Sequence, residues 1–120
     1  MIKRIAIPVQ DGHLSEYFGG CSHYRIYELD KTITGMFELQ VPGGIAITGL
    51  PSWLSENGIN DVIVYKANPE IIREFALQKI NLFMGVAIDT PENIIEAYRK
   101  GWLESDAGII KALTLPAGNR

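Results

Sequence analysis

Cysteine is nearly absent from this chain: Cys21 is the one cysteine among 120 residues. A single cysteine excludes an intramolecular disulfide and favours a reducing compartment. Basic residues are not in excess, because 11 Lys and Arg stand against 14 Asp and Glu, which is not typical of a nucleic-acid-binding protein. No stretch approaches the roughly 20 apolar residues that a membrane helix needs. We therefore expect a cytoplasmic protein that binds neither nucleic acid nor membrane.

Motifs of common hydrolases and nucleotide-binding enzymes are also lacking. The sequence contains no G-x-S-x-G elbow, no Walker loop and no H-E-x-x-H pair. Its acidic residues do not converge on neighbouring predicted strands, as a two-metal nuclease would require. Cys21 and His23 could form a nucleophile and base, but no third residue is placed to orient the base. We therefore expect a protein that is not an enzyme.

What the chain does contain is a regular series of strands and helices in one domain, residues 1–104. A content of 47% hydrophobic and 21% charged residues is typical of a globular protein. Apolar alternation and continuous apolar runs predict five strands. They span residues 2–9, 23–30, 32–40, 61–65 and 81–86.

Three helices are predicted between and after these strands. The first spans about residues 48–57, while Asn68-Pro69 and Thr90-Pro91 each start a helix with a capping residue followed by proline. The third helix extends to about residue 102. Residues 105–120 form a C-terminal tail, in which residues 109–113 suit a short amphipathic helix.

The order of these elements predicts an α/β fold with a mixed sheet. Three consecutive strands favour a meander, and the two later strand–helix units favour right-handed parallel crossovers. A sheet of order 3-2-1-4-5 with helices on both faces satisfies both rules. Four connecting segments then meet at one edge of the sheet, where open α/β sheets bind ligands. These segments are residues 10–22, 41–47, 66–68 and 87–90.

This edge suits a small anion, because two predicted helices begin there with free amides and positive dipole ends. Asn68 begins one of these helices. The pairs Gly19-Gly20 and Gly43-Gly44 could bring backbone amides close to a ligand, or they could serve turn geometry alone. Tyr17 and Phe18 lie at the same edge and could wall a pocket.

His13, Cys21 and His23 are candidate metal ligands. In an extended segment Cys21 and His23 point to one side, and His13 could fold back from the loop. A thiolate and two imidazoles suit copper, zinc or a metal–sulfur cluster. The alternative is structural: a packed cysteine, an exposed loop histidine, and a second histidine bonded to the backbone.

The order and spacing of these motifs resemble those of the dinitrogenase iron–molybdenum cofactor-binding proteins, which include small nitrogenase accessory factors and cluster carriers. The resemblance spans about residues 2–104. It rests on the strand I-A-I-P-V, the Phe18-Gly19 loop, the Gly43-Gly44 break, and a strand–helix–strand unit that ends near Ala97, Gly101 and Leu103. It implies a ribonuclease-H-like three-layer α/β/α fold with a five-stranded mixed sheet. It also implies a non-catalytic binding or carrier protein for an anionic iron–sulfur or molybdenum-containing cluster.

The chain departs from the family pattern where a cluster would be held. Tyr17 and Gly20 stand where histidine and arginine are usual, and Val41-Pro42 replaces a common histidine. Either Cys21, His13 and His23 take over as ligands, or the chain binds another small anion, or it binds nothing metallic. The alternative function is a protein-partner domain or weak homodimer with a degenerate site, which the apolar tail favours.

Overall fold

The computed structural model describes residues 2–101 and 103, in which a six-stranded mixed sheet is combined with three α-helices. The strands are β1 (Lys3–Gln10), β2 (His13–Leu14), β3 (His23–Asp30), β4 (Thr32–Gln40), β5 (Asp61–Ile63) and β6 (Asn81–Phe83). The helices are α1 (Leu50–Glu56), α2 (Pro69–Leu77) and α3 (Pro91–Lys100). The predicted mixed α/β class is confirmed. None of the helices in the described residues is long and apolar enough to cross a membrane.

Strand β1 lies at the centre of the sheet, whose main path runs β4-β3-β1-β5-β6. It pairs antiparallel with β3 and parallel with β5, and β5 pairs parallel with β6. The two-residue strand β2 is an addition to the five expected strands. It folds back on β1 through Asp11 and Gly12, whose φ values of 54° and 81° match the two-residue turn of a tight hairpin.

Strands β5 and β6 are shorter than their apolar runs predicted, three residues each instead of five and six. The two segments stay hydrogen-bonded to each other beyond the strand ends. Val64 N–H donates to Phe83 O at 2.8 Å, and Val86 N–H donates to Val64 O at 3.2 Å. Gly85, with a φ of 79°, turns the backbone out of the extended conformation. The regular ladder therefore ends early although the contact continues.

Two 3-10 turns accompany the regular helices in the described residues. One lies at Phe18–Gly20, within the first connecting segment. Helix α1 begins two residues later than predicted and follows a 3-10 turn at Ile47–Gly49. The predicted amphipathic helix at residues 109–113 lies outside the described residues.

The two cap-then-proline helices start as predicted. Asn68 Oδ1 accepts a hydrogen bond from Ile71 N–H at 2.9 Å, and Thr90 Oγ1 accepts one from Asn93 N–H at 3.3 Å. Each side chain satisfies one of the orphan amides at a helix start. Both starts lie just beyond the carboxyl ends of parallel strands.

The core forms on both faces of the sheet. On one face α1 and α2 bury residues such as Leu54 and Phe75 against Tyr24 and Ile26 of β3. On the other face α3 packs against β1 and β5. Because both faces are covered, the carboxyl edge of the sheet is the position where the connecting segments can surround a ligand.

Candidate functional site

A cleft of about 510 Å³ opens at the carboxyl edge of the sheet. Three of the four connecting segments predicted to meet there supply its walls: residues 10–22, 41–47 and 66–68. Helix α2 supplies the remaining side. The lining residues are Tyr17, Phe18, Gly19, Ile47, Lys66, Ala67, Asn68 and Ile71.

The first connecting segment is held against the β5–α2 connector by backbone contacts. Phe18 N–H donates to Lys66 O at 3.1 Å, and Tyr17 and Lys66 form a parallel β-bridge. Ser15, which is buried, donates its hydroxyl to Tyr17 O at 2.7 Å. These bonds fix the backbone at the mouth of the cleft and leave the side chains of the rim free to adjust.

Phe18 forms the apolar floor of the cleft. Its side chain is 2% exposed, and its ring centroid lies 5.1 Å from that of Phe75 and 5.9 Å from that of Tyr24. The ring therefore belongs to the core and to the cleft at once. It links the shape of the cleft to the packing of α2 on the sheet.

Gly19 allows the first and second segments to approach each other. A Cβ atom at this position would lie 2.7 Å from Ile47 Cδ1 and 2.9 Å from Ile47 Cγ1. Such distances are too short for carbon atoms, so a side chain at residue 19 would displace the Ile47 side chain, which is 49% exposed. Glycine here lets Ile47 lie directly against the first segment.

The cationic group among the lining residues is the Lys66 ammonium. Its Nζ lies 5.3 Å from the ring centroid of Tyr17 and 5.4 Å from that of Tyr65, distances at which a cation is attracted to an aromatic ring. Glu16 Oε2 lies 3.7 Å from the same Nζ. Within the described part of the chain, no residue that lines the cleft is acidic. The cleft thus combines one cation with apolar and aromatic walls.

The start of α2 adds hydrogen-bond donors. Asn68 uses its side-chain oxygen to cap the helix, which leaves its amide nitrogen available to a ligand. Pro69 has no N–H, and Ile71 and Ile72 donate to Asn68. Glu70 N–H is therefore the first-turn amide without an intrahelical partner. The helix dipole favours a negative charge at this position.

The second glycine pair does not line the cleft. A Cβ atom added to Gly43 or Gly44 would meet nothing within 4 Å, so both residues border open space. Gly44 has a φ of 83°, which turn geometry explains. Gly20 ends the 3-10 turn beside the cleft. Of the predicted anion-binding residues, the structure brings together Phe18, Gly19 and Asn68.

The three candidate metal ligands point to different surroundings. Cys21 packs against the core on the α1 and α2 side of the sheet. His23 lies on the opposite side, since it stands across from Val9, which belongs to the core on the α3 side. His13 is exposed in β2, with Nδ1 3.0 Å from Asp11 O.

The predicted three-ligand metal site is therefore not formed. Among the described residues, no group of three or more His, Cys, Asp and Glu side chains is placed to hold a metal ion. The physical reason is that β3 begins at His23. Cys21 lies before the strand, so strand alternation does not extend to it and the two side chains do not share a side.

His23 takes part in a charged cluster instead. Its Nε2 lies 3.2 Å from Glu38 Oε2, at ion-pair distance but outside hydrogen-bond geometry. Arg25 donates to Glu38 at 3.0 Å and also to Glu92 at the start of α3. The hydrogen bond from Arg25, helped by nearby His23, lowers the pKa of the Glu38 carboxyl. This cluster ties β3 and β4 to α3 and lies apart from the cleft.

The fourth connecting segment lines a separate, smaller cavity of about 250 Å³. It still touches the first segment, because Leu14 N–H donates to Asp89 O at 3.0 Å. The Asp89 carboxylate accepts hydrogen bonds from two neighbouring groups, Thr90 N–H and the side-chain amide of Asn93. The residues around this cavity are Val86, Ala87, Asp89, Asn93, Ile94, Ala97 and Leu103.

Burial changes the chemistry of the Cys21 thiol. Desolvation raises its pKa, against a smaller lowering by the neighbouring Tyr24 hydroxyl. Less thiolate is then present near neutral pH than for a free cysteine, and the thiolate is the reactive form. We expect the folded protein to react with iodoacetamide more slowly than the unfolded chain, with a rate that rises at higher pH. Mass spectrometry of the alkylated protein at several pH values measures this.

The same shift couples Cys21 to stability. The pKa of the Cys21 thiol is higher in the folded protein than in the unfolded chain. Its contribution to the free energy of unfolding is therefore fully present below the unfolded-state pKa, and it is lost as pH rises through the folded-state pKa. Cys21→Ser should remove this alkaline loss in urea-unfolding curves. Alkylation equally fast in the folded and unfolded protein would contradict the placement of Cys21.

Sequence reasoning missed Lys66 and Ile47 as site residues. A lone lysine in a loop and a lone isoleucine before a helix carry no pattern. The signal that could have indicated Lys66 is its place directly after a buried strand, inside a segment already predicted to reach the ligand-binding edge.

The fold is shared with solved structures of low sequence identity. The crystal structure of PH0822 superposes with a TM-score of 0.82 at 22% identity, covering 90% of this chain and 98% of that one. A candidate dinitrogenase (mj0327) from Methanocaldococcus jannaschii gives 0.68 at 20% identity, covering 89% and 97%. The apo form of the orange protein from Desulfovibrio gigas gives 0.68 at 13% identity, covering 88% and 93%. At these identities the likeness shows the fold alone.

Sequence comparison adds the family. No curated protein matches the chain. The profile of the dinitrogenase iron-molybdenum cofactor family matches residues 1–101, which is most of its 120 residues. The chain therefore belongs to the dinitrogenase iron-molybdenum cofactor family.

Proposed function

We propose that this protein is a non-catalytic binding or carrier protein for an anionic metal–sulfur species, and that the cleft between Tyr17, Lys66 and Asn68 is its binding site. Family membership supports a role in handling such a cofactor. The observation that carries the proposal is the convergence of three connecting segments around one cation at the carboxyl edge of the sheet. We keep a cytoplasmic location and the ribonuclease-H-like assignment of the fold as parts of this proposal.

The donor set of the cleft decides how a metal–sulfur species would be held. Among residues 2–101 and 103, none that lines the cleft is a cysteine, a histidine or a carboxylate, so none is an ordinary metal ligand. A metal ion without its own ligands does not fit. A species that brings its own sulfide ligands does fit, because its outer surface needs donors and apolar contact rather than coordination.

The contacts available match that outer surface. The Lys66 ammonium, the Asn68 amide and the start of α2 supply hydrogen-bond donors and positive charge. Phe18, Ile47 and the other apolar walls favour a weakly hydrated, polarisable anion over a strongly hydrated one.

The comparison of two anions of equal charge and shape tests the proposal. Purified protein is titrated anaerobically with tetrathiomolybdate and, separately, with molybdate, which carries oxygens in place of sulfides. We expect saturable binding of tetrathiomolybdate in its visible absorption, and weaker binding of molybdate by about ten-fold or more, about 1.4 kcal/mol. Reconstitution with iron, sulfide and molybdate followed by elemental analysis extends the test to larger clusters. Equal affinities, or no binding of either anion, would contradict the proposal.

A second candidate function, self-association, is favoured by the edge strand β4. Ile33, Met36 and Phe37 are 37%, 53% and 38% exposed on this strand. Strand β4 pairs with β3 on one side only, so its other edge presents free backbone groups within the described residues. A second copy could add its own β4 antiparallel to it. The tail that originally motivated this function lies outside the described residues.

Self-association through β4 gives a testable prediction for Met36. If β4 mediates a weak homodimer, Met36→Lys should remove it, because lysine on an edge strand opposes further pairing. Sedimentation at increasing protein concentration measures the monomer fraction of the natural chain and of the variant. The control is Leu77→Lys, which places the same charge at a residue that is 71% exposed at the end of α2. A monomeric natural chain at all concentrations would remove this candidate.

A further inference from the structure

We propose that Glu16 is an internal counter-ion of the cleft, which occupies the Lys66 ammonium until the ligand displaces it. This inference rests on the proposed function and concerns how the same site is regulated. Glu16 Oε2 lies 3.7 Å from Lys66 Nζ, at ion-pair distance. Glu16 itself is not among the lining residues, while Lys66 is. The carboxylate therefore contacts the cation from the rim.

The geometry allows the exchange without a change in the backbone. The backbone on both sides of this contact is fixed, because Phe18 N–H is bonded to Lys66 O and Tyr17 forms a bridge with Lys66. The Glu16 side chain is 54% exposed, so its carboxylate can rotate into water. The contact is a loose one that a ligand in the cleft can replace.

The Lys66 ammonium would keep its position during the exchange. The rings of Tyr17 and Tyr65 both lie near it, at 5.3 and 5.4 Å, and supply attraction that does not depend on Glu16. An ammonium has three donors. An anion in the cleft can thus form an ion pair with Lys66 while the aromatic contacts hold the Lys66 side chain at the rim.

Competition between Glu16 and the ligand sets a minimum strength for the attraction between the ligand and Lys66. An incoming anion must attract Lys66 more strongly than one carboxylate does at 3.7 Å. A doubly charged species such as tetrathiomolybdate meets this condition, whereas a small monoanion gains no more than Glu16 already supplies. The substrate class we infer is therefore a dianion or a more highly charged metal–sulfur species.

Four variants test the inference by tetrathiomolybdate titration under anaerobic, low-salt conditions. Glu16→Gln removes the competing charge, and the expected gain in affinity is about two- to five-fold, as for the loss of an exposed ion pair. Lys66→Gln removes the shared partner. In the double variant, Glu16→Gln should then bring no gain beyond the general effect of charge. The control is Glu96→Gln, which removes the same charge and breaks an ion pair with Arg99 (2.9 Å) on α3.

The outcomes separate the inference from the proposed function. A gain with Glu16→Gln that exceeds the gain with Glu96→Gln, and that vanishes without Lys66, supports the inference. Equal effects of the two variants, with binding that still depends on Lys66, overturn the counter-ion role and leave the proposed function intact. Absence of binding to the natural chain overturns both. Urea unfolding of each variant verifies that the fold is retained.

Discussion

Phe18→Ala is expected to lower the free energy of unfolding by about 3–5 kcal/mol, the usual cost of deleting a buried aromatic ring. The Phe18 side chain is 2% exposed and its ring packs against Phe75 and Tyr24. Its removal would leave a cavity continuous with the cleft. Since domains of this size are stable by about 5–15 kcal/mol, the variant should be close to unfolding at moderate urea. The midpoint of urea unfolding measures the loss.

The matched control is Phe37→Ala, which deletes the same ring from the edge strand β4. Phe37 is 38% exposed, and its ring centroid lies 6.0 Å from Arg4 Cζ. We expect a loss of about 1 kcal/mol or less, as for most surface substitutions away from special features. Similar losses for the two variants would show that Phe18 does not belong to the core as described.

Lys66→Gln is expected to weaken tetrathiomolybdate binding by about ten-fold or more, because a charge-assisted contact contributes about 1.5–3 kcal/mol. Glutamine is one atom shorter than lysine and keeps a hydrogen-bond donor, but it removes the charge. The stability of the protein should change little, since Lys66 is half-buried and its contact with Glu16 is a loose ion pair. The titration of the natural chain and the variant under identical salt gives the ratio of affinities.

Lys79→Gln is the charge-matched control. It removes one lysine beyond the opposite end of α2, at about 1.5 Å of rise per residue well away from the cleft. Its effect on binding should be small and should vanish as salt is added, as expected for a distant surface charge. Equal effects of the two substitutions would mean that the anion responds to net charge and not to the cleft.

The parts of the fold with a regular pattern could be predicted from the sequence. The β3–β4 hairpin, at His23–Asp30 and Thr32–Gln40, has the bounds that apolar alternation indicated. The starts of α2 and α3 followed from Asn68-Pro69 and Thr90-Pro91, where a cap and a proline act locally. These features depend on neighbouring residues, which the sequence shows directly.

Other features depend on the backbone conformation of single residues, which the apolar pattern does not indicate. The shortening of β5 and β6 depends on the positive φ of Gly85. The hairpin of β2 depends on Asp11-Gly12, a turn-forming pair that lies inside the predicted connecting segment, residues 10–22. The predicted metal site was not formed because its geometry assumed that strand alternation extended to Cys21.

The position of the site in the fold was predicted more accurately than the residues that form it. The edge of the sheet and Phe18, Gly19 and Asn68 were identified, because topology alone places them there. The charge of the cleft was missed, since Lys66 carries no motif and Glu16 contacts it only after the first segment folds over the third. A pair formed across 50 residues has no local signature.

The most direct measurement is an NMR titration of the isotopically labelled, full chain with tetrathiomolybdate under anaerobic conditions. It reports on every backbone amide at once and so locates the binding site without assuming it. The structure predicts that the largest shifts occur at Gly19, Lys66 and Ala67 and at the start of α2, while Gly43, Gly44 and His23 stay near their free positions. Largest shifts at His13, Cys21 and His23, or shifts spread evenly over the surface, would contradict the assignment of the cleft.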